Sequence, residues 1–121
     1  MLLPLQTIID PNFLAAFHKL CQQSLSLTDN IRLARAARVI NRETETFNTA
    51  RLAFFKANGT ANAGNWTLDP EQPGLLDRYN TEMAQVLAMQ IELPLLAPVK
   101  LPANCTLTAL ELLPLLELVE E

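Results

Sequence analysis

The stretch DNIRLARAARVINRETETFNTARLAFFKA, residues 29–57, contains neither glycine nor proline, and its reading decides the fold. Leu33, Ile40, Phe47 and Phe54 recur at intervals of seven, with Ala36, Ala37 and Ala50 between them. That spacing lays an apolar seam of the coiled-coil type along one side of an α-helix. At about 1.5 Å per residue, a helix from about Asp29 to Ala57 is on the order of 40 Å long. A compact domain of this size needs less, so the far end is expected to project.

On the N-terminal side, Ser26 or Thr28 is placed to cap this helix, and Asp29 suits the positive end of its dipole. A preceding helix is predicted from about Pro11 to Gln23. Asp10 accepts a helix-start amide, and Pro11 at the first helical position loses nothing by lacking its own. Ile9 and Leu14 occupy the positions of a hydrophobic staple, and Phe13, Leu14, Phe17, Leu20 and Cys21 fall on one face. Before it, Leu2, Leu3, Leu5, Ile8 and Ile9 read as a short extended segment, which Pro4 confines to an edge.

On the C-terminal side, Asn58-Gly59 is the stop, glycine tolerating the left-handed conformation that closes helices. Thr60 to Gln72 reads as a loop. Trp66 inside it is either packed on the tip of the hairpin, the favoured reading, or an exposed contact residue. A third helix from about Leu75 to Gln90 presents Leu76, Tyr79, Met83, Val86, Leu87 and Gln90 at helical spacing, the natural cover for the whole seam in an antiparallel hairpin. Glu43 and Arg51, on or beside the seam, are expected to meet Arg78 and Glu82 and so set its register. Thr44 interrupts the same strip.

Ile91 to Pro102 alternates apolar residues between Pro94, Pro98 and Pro102 and reads as short strands or extended arms, with Ile91 to Leu95 placed to pair with the N-terminal segment in a small sheet. A last helix is predicted from about Leu107 to Val119, opened by a Thr108/Glu111 capping box and kinked or split at Pro114. Leu110, Leu112, Leu113, Leu115, Leu116 and Leu118 exceed what one helix face hides, and the surplus points to a partner or self-association surface. The expected architecture is therefore mainly α, one domain over 1–121: an antiparallel helical hairpin, an additional N-terminal helix, a Leu-rich C-terminal helix and a small β element at the base.

Half of the 121 residues are hydrophobic, enough for a real core, and the net charge of −4 argues against coating nucleic acid by bulk electrostatics. Charge is nonetheless polarised. Arg32, Arg35, Arg38, Arg42, Arg51 and Lys56 cluster in one stretch, whereas no cation follows Lys100 and Glu111, Glu117, Glu120 and Glu121 make the end acidic. Arg35, Arg38 and Arg42 form a basic stripe roughly opposite the seam. It reads first as a solvated face paired with carboxylates, then as a site for an acidic protein segment such as this chain's own C-terminus, and last as a phosphate contact.

Two cysteines, Cys21 and Cys105, without Cys-x-x-Cys spacing, fit free thiols in a reducing compartment. The first ten residues lack a cationic start and contain Pro4, unlike a secretion signal. No run approaches the roughly 20 apolar residues that span a bilayer. A cytoplasmic protein without membrane contact is expected. The Asn-x-Thr triplets at Asn58, Asn65 and Asn104 carry little weight in that setting, since asparagine favours turns.

Chemistry-bearing motifs are sparse. Three glycines, none in a Gly-Lys-Ser/Thr pattern, exclude a phosphate loop. His18 is the lone histidine, and Ala15 three residues before it rules out the di-iron Glu-x-x-His motif. His18 and Cys21 share a helix face, but nothing in the sequence orients them as base and nucleophile. No catalytic, metal-binding or cofactor-binding residue is assigned, and no cofactor is expected. The candidate interaction residues are Arg35, Arg38, Arg42, Trp66, Leu112, Leu113, Leu115 and Leu116.

The order of an extended start, helical hairpin, loop, returning extended residues and a Leu-rich end, Thr106-Leu107-Thr108-Ala109-Leu110-Glu111-Leu112-Leu113, resembles small uncharacterised proteins of tailed bacteriophages and prophages. The resemblance spans most of the chain at the level of pattern. It implies a virion component or assembly factor, possessing no functional residues to carry over. The expected function is non-enzymatic protein–protein interaction as a structural or assembly subunit; the alternative is a nucleic-acid-binding accessory protein using the arginine face.

Overall fold

The computed structural model describes residues 1–62, 65–68, 73–95 and 97–120, with the backbone alone described at 60–62, 65–68, 73 and 120. In chain order the elements are β1 (Leu2–Pro4), α1 (Leu5–Ile8), α2 (Pro11–Cys21), α3 (Leu27–Asn58), β2 (Gly59–Asn62) and β3 (Asn65–Leu68). They continue with α4 (Pro73–Leu87), β4 (Gln90–Glu92), β5 (Val99–Lys100), α5 (Ala109–Leu112), a 3-10 turn (Leu113–Leu115) and β6 (Val119–Glu120). The protein is mainly helical, with a long central helix and small β elements.

Helix starts follow their caps. Asn12 N–H donates to Asp10 Oδ1 at 2.8 Å, with Pro11 at the first helical position. Asp29 N–H donates to Ser26 Oγ at 3.2 Å and opens α3. The Thr108/Glu111 capping box is complete, with both reciprocal bonds present at 3.1 and 3.3 Å.

The core gathers around the first half of α3. Leu33, Ala36 and Ile40 are buried there among Phe13, Ala16, Phe17 and Leu20 of α2. Leu3, Ile8, Leu93, Leu95, Val99, Leu115, Leu118 and Val119 close the remaining sides. Each fully buried Leu, Ile or Phe contributes roughly 1.5–3 kcal/mol relative to exposure. The base sheet forms as expected: β1 pairs antiparallel with β4 in the register Leu2↔Glu92, Leu3↔Ile91, Pro4↔Gln90. A second small pairing, β5 with β6, is parallel and places Val99 beside Val119.

Beyond Ile40, α3 extends as an arm. Its 32 residues correspond to about 48 Å. The β2–β3 hairpin turns the chain, and α4 returns antiparallel: the rings of Phe54 and Phe55 lie 5.3 and 5.1 Å from that of Tyr79, and Phe47 and Val86 line one groove nearer the base. Among the described residues, no side chain of α4 or of α3 past Ile40 is fully buried.

Several expectations are corrected. The extended N-terminal segment stops at Pro4, because Leu5 and Ile8, three apart, reach the core together only from a helical turn. Gly59 ends α3 in extended backbone, φ −114° and ψ −178°, not left-handed, since the chain passes directly into β2. The loop expected over 60–72 contains the β2–β3 hairpin, registered from Gly59↔Leu68 to Asn62↔Asn65. The third helix ends at Leu87, freeing Gln90 to pair with Pro4. It covers only the Phe47 and Phe54 part of the seam, because α2 and the C-terminal turn already cover Leu33 and Ile40. The C-terminal helix is short: Pro114 lacks the amide an α-helix needs, and Leu113–Leu115 tightens to 3-10.

Candidate interaction surfaces

Three surfaces follow from this packing. The first is the outward side of α3. At 100° per residue, Leu27, Ile31, Arg35, Arg38 and Arg42 fall within an arc of about 80° opposite Leu33, Ala36 and Ile40. All five are exposed, Leu27 at 76% and Ile31 at 44%. Arg42 lies 3.8 Å from Glu43, while Arg35 and Arg38 make no ion pair among the described residues. Arg32, off the stripe, is locked into the fold by Asp29 at 2.8 Å and the Ala97 carbonyl. The stripe predicted opposite the seam is therefore present, but Arg35 and Arg38 have no carboxylate partner among the described residues.

The second surface is the Leu-rich end. Leu115 and Leu118 are buried at 0% and 1%, anchoring the turn, whereas Leu110, Leu113 and Leu116 stand 81%, 63% and 53% exposed. Leu115 is thereby corrected: it is a core residue and offers nothing to a partner. Leu112 is half-buried against the core, and Leu113 and Leu116 remain surface candidates. Leu110 joins them, and its signal was the step of three through Leu110, Leu113 and Leu116. Grooves of about 620 and 320 Å³ flank the Leu113-Pro114 ridge, one against Asp10, Ala15 and Lys19 of the α2 region, the other against Leu3, Thr7 and Phe13.

Polar contacts hold this end on α2. Lys19 Nζ meets Glu111 Oε2, and Gln23 exchanges hydrogen bonds with Thr106, each at 3.0 Å. The Lys19 ammonium, with the Thr108 amide, holds the Glu111 carboxyl below its ordinary value.

The third surface is the cleft between the arm helices, about 180 Å³, lined by Phe47, Phe54, Tyr79, Met83 and Val86 with Arg51 and Glu82 beside them. The expected cross-helix ion pairs are absent among the described residues. Arg78 binds Glu82 on its own helix at 3.3 Å and stacks over Phe54 at 5.6 Å, Arg51 lies over Phe55 at 6.0 Å, and Glu43 faces Arg42. Aromatic bulk separates the helices, so intrahelical and cation–π partners are nearer.

His18 Nε2 lies 3.2 Å from the Gln22 amide nitrogen. The Cys21 thiol is pushed up from its ordinary value by desolvation, the direction opposite to an activated thiolate. No metal-ligating cluster and no helix long and apolar enough to cross a membrane occur among the described residues. Trp66 falls on β3, and its packing lies outside the described residues. Compared with known proteins, the chain matches no family, no curated protein and no solved structure.

Proposed function

We propose that this chain is a non-enzymatic structural or assembly subunit that works by binding protein, through the Leu-rich end and secondarily the arm. One observation carries this reading: three leucines, Leu110, Leu113 and Leu116, more than half exposed on an element that is itself anchored by buried neighbours. Apolar side chains grouped on a firmly held element mark contact sites, and burying each is worth roughly 1.5–3 kcal/mol. The arm supports the same role, since its cleft holds half-buried aromatics that a partner helix would finish covering. The resemblance to tailed-phage and prophage proteins suggests the setting, cytoplasmic or virion-associated.

Affinity purification from the native source, followed by identification of co-purifying protein, tests the proposal. A defined protein in fixed ratio is expected with the natural chain and not with Leu113→Ser/Leu116→Ser. Absence of any protein partner, other copies of the chain included, refutes it.

The exposed, mostly unpaired Arg35, Arg38 and Arg42 favour a second reading, a nucleic-acid-binding accessory protein. A salt-titrated mobility-shift assay on the natural chain and on its triple Arg→Glu variant decides it. Binding lost only in the variant supports this reading; no binding at low salt removes it.

A further inference from the structure

We propose that copies of the chain associate head to tail, the Leu110, Leu113 and Leu116 ridge of one seating on the outward face of α3 of the next. The inference rests on the assembly reading above and names the partner within it.

The two faces are chemically complementary. The α3 face begins with exposed Leu27 and Ile31 and continues into Arg35, Arg38 and Arg42. From Leu27 to Arg42 its sole carboxylate is Asp29, which Arg32 already engages at 2.8 Å. The Leu-rich end has the converse composition. Every formal side-chain charge after Lys100 is negative. Glu111 is taken by Lys19, while Glu117 is exposed and makes no ion pair among the described residues. Apolar groups thus meet apolar groups, and the uncommitted Arg35 and Arg38 meet an uncommitted carboxylate.

Geometry then requires two copies. Leu33, Ala36 and Ile40 turn α3 toward the core, and Leu115 and Leu118 turn the C-terminal end toward the same core. The outward faces of the two elements therefore point away from it, and one copy does not bring them together. Unlike patches on one molecule make a heterologous contact, which propagates into a ring or filament instead of closing as a two-fold dimer. From Leu27 to Arg42 the stripe measures about 23 Å. On a helix about 10 Å across, that strip covers on the order of 230 Å², short of the roughly 800 Å² per partner of a standard stable interface, so the association is reversible. Salt weakens its ionic part, with screening over about 8 Å at physiological ionic strength, and spares the leucine contacts.

Sedimentation velocity of the full chain over a rising concentration series tests this. The natural chain is expected to grow past a dimer. Arg35→Glu/Arg38→Glu/Arg42→Glu and Leu113→Ser/Leu116→Ser are each expected to stay monomeric, with circular dichroism melts near the natural one because the altered side chains are exposed. Mixed together, each supplies the half the other lacks, and a 1:1 complex that grows no further is expected. The single changes Arg38→Glu and Glu117→Lys give a gentler version, each weakening association and their mixture restoring it. A natural chain monomeric up to millimolar concentration overturns the inference, as does a dimer that survives in the arginine variant. If the natural chain is monomeric yet co-purifies with another protein, the assembly reading stands and this inference alone falls.

Discussion

Leu33 and Ile40 share a seven-residue repeat with Phe47 and Phe54, yet the first pair is 1% and 2% exposed while the second is only half-buried. The difference lies in what covers them. Around Leu33 and Ile40, α2, the β1–β4 region and the C-terminal turn close from several sides. Around Phe47 and Phe54, among the described residues, α4 lies across a cleft of about 180 Å³. A repeat in sequence determines which side of a helix is apolar; how deeply it is buried depends on how many other elements arrive.

The largest expected effect breaks the base. Ile40→Ala removes buried methyl groups from a site enclosed on all sides, at a cost of about 2–5 kcal/mol. Urea or thermal unfolding should show one cooperative transition shifted strongly downward. A loss near zero would mean that the base is no better packed than the arm.

Phe54→Ala probes the other half. Its ring contacts Phe55 at 6.3 Å and Tyr79 at 5.3 Å and carries the Arg78 guanidinium, but it retains solvent access. A loss of about 1–2 kcal/mol is expected, below the 3–5 of a fully buried phenylalanine. Hydrogen exchange should locate it: protection falls over residues 44–58 and 73–87 and holds over residues 30–40. Equal loss along all of α3 would show that base and arm open as one unit.

Thr44 marks the junction between these halves. Its Oγ1 is buried and has no hydrogen-bond partner among the described residues. Thr44→Val keeps the shape and removes an unsatisfied hydroxyl, so a gain of about 1 kcal/mol is expected. Measured by urea unfolding, a loss instead would indicate that the hydroxyl finds a partner in solution.

The comparison also explains which features were legible beforehand. Caps are local, and Asp10, Ser26 and the Thr108/Glu111 box could be read from a few neighbouring residues. The opposition of Arg35, Arg38 and Arg42 to Leu33 and Ile40 follows from helical geometry alone, and the β1–β4 pairing from alternation beside proline. What escaped was the choice among partners far apart in sequence. Six leucines between 110 and 118 look alike on paper; contacts with α2 and β5 bury Leu115 and Leu118 and leave Leu113 and Leu116 outside. Likewise, opposite charges on α3 and α4 suggested register pairs, but aromatic rings set the helices apart and each charge settled on a closer group. Leu27 and Ile31 lie on the face opposite the heptad seam, where the seven-residue spacing carries no signal.

The smallest expected effect separates the base from its own C-terminal edge. Glu111 has its folded-state pKa lowered by Lys19 and the Thr108 amide, so the contribution of this tether is present above the ordinary glutamate value of about 4.3 and disappears as pH falls through the lower folded value. In Lys19→Ala the Glu111 midpoint, followed by carboxyl-carbon NMR, should move up toward that ordinary value. Acidification of the natural chain should shift the signals of Leu110 and Leu113 before those of Phe54 and Tyr79, which have no part in the tether. A Glu111 midpoint unmoved by loss of Lys19 would assign the shift to the capping box, and the end would then be held on α2 by Gln23 and its buried leucines without the ion pair.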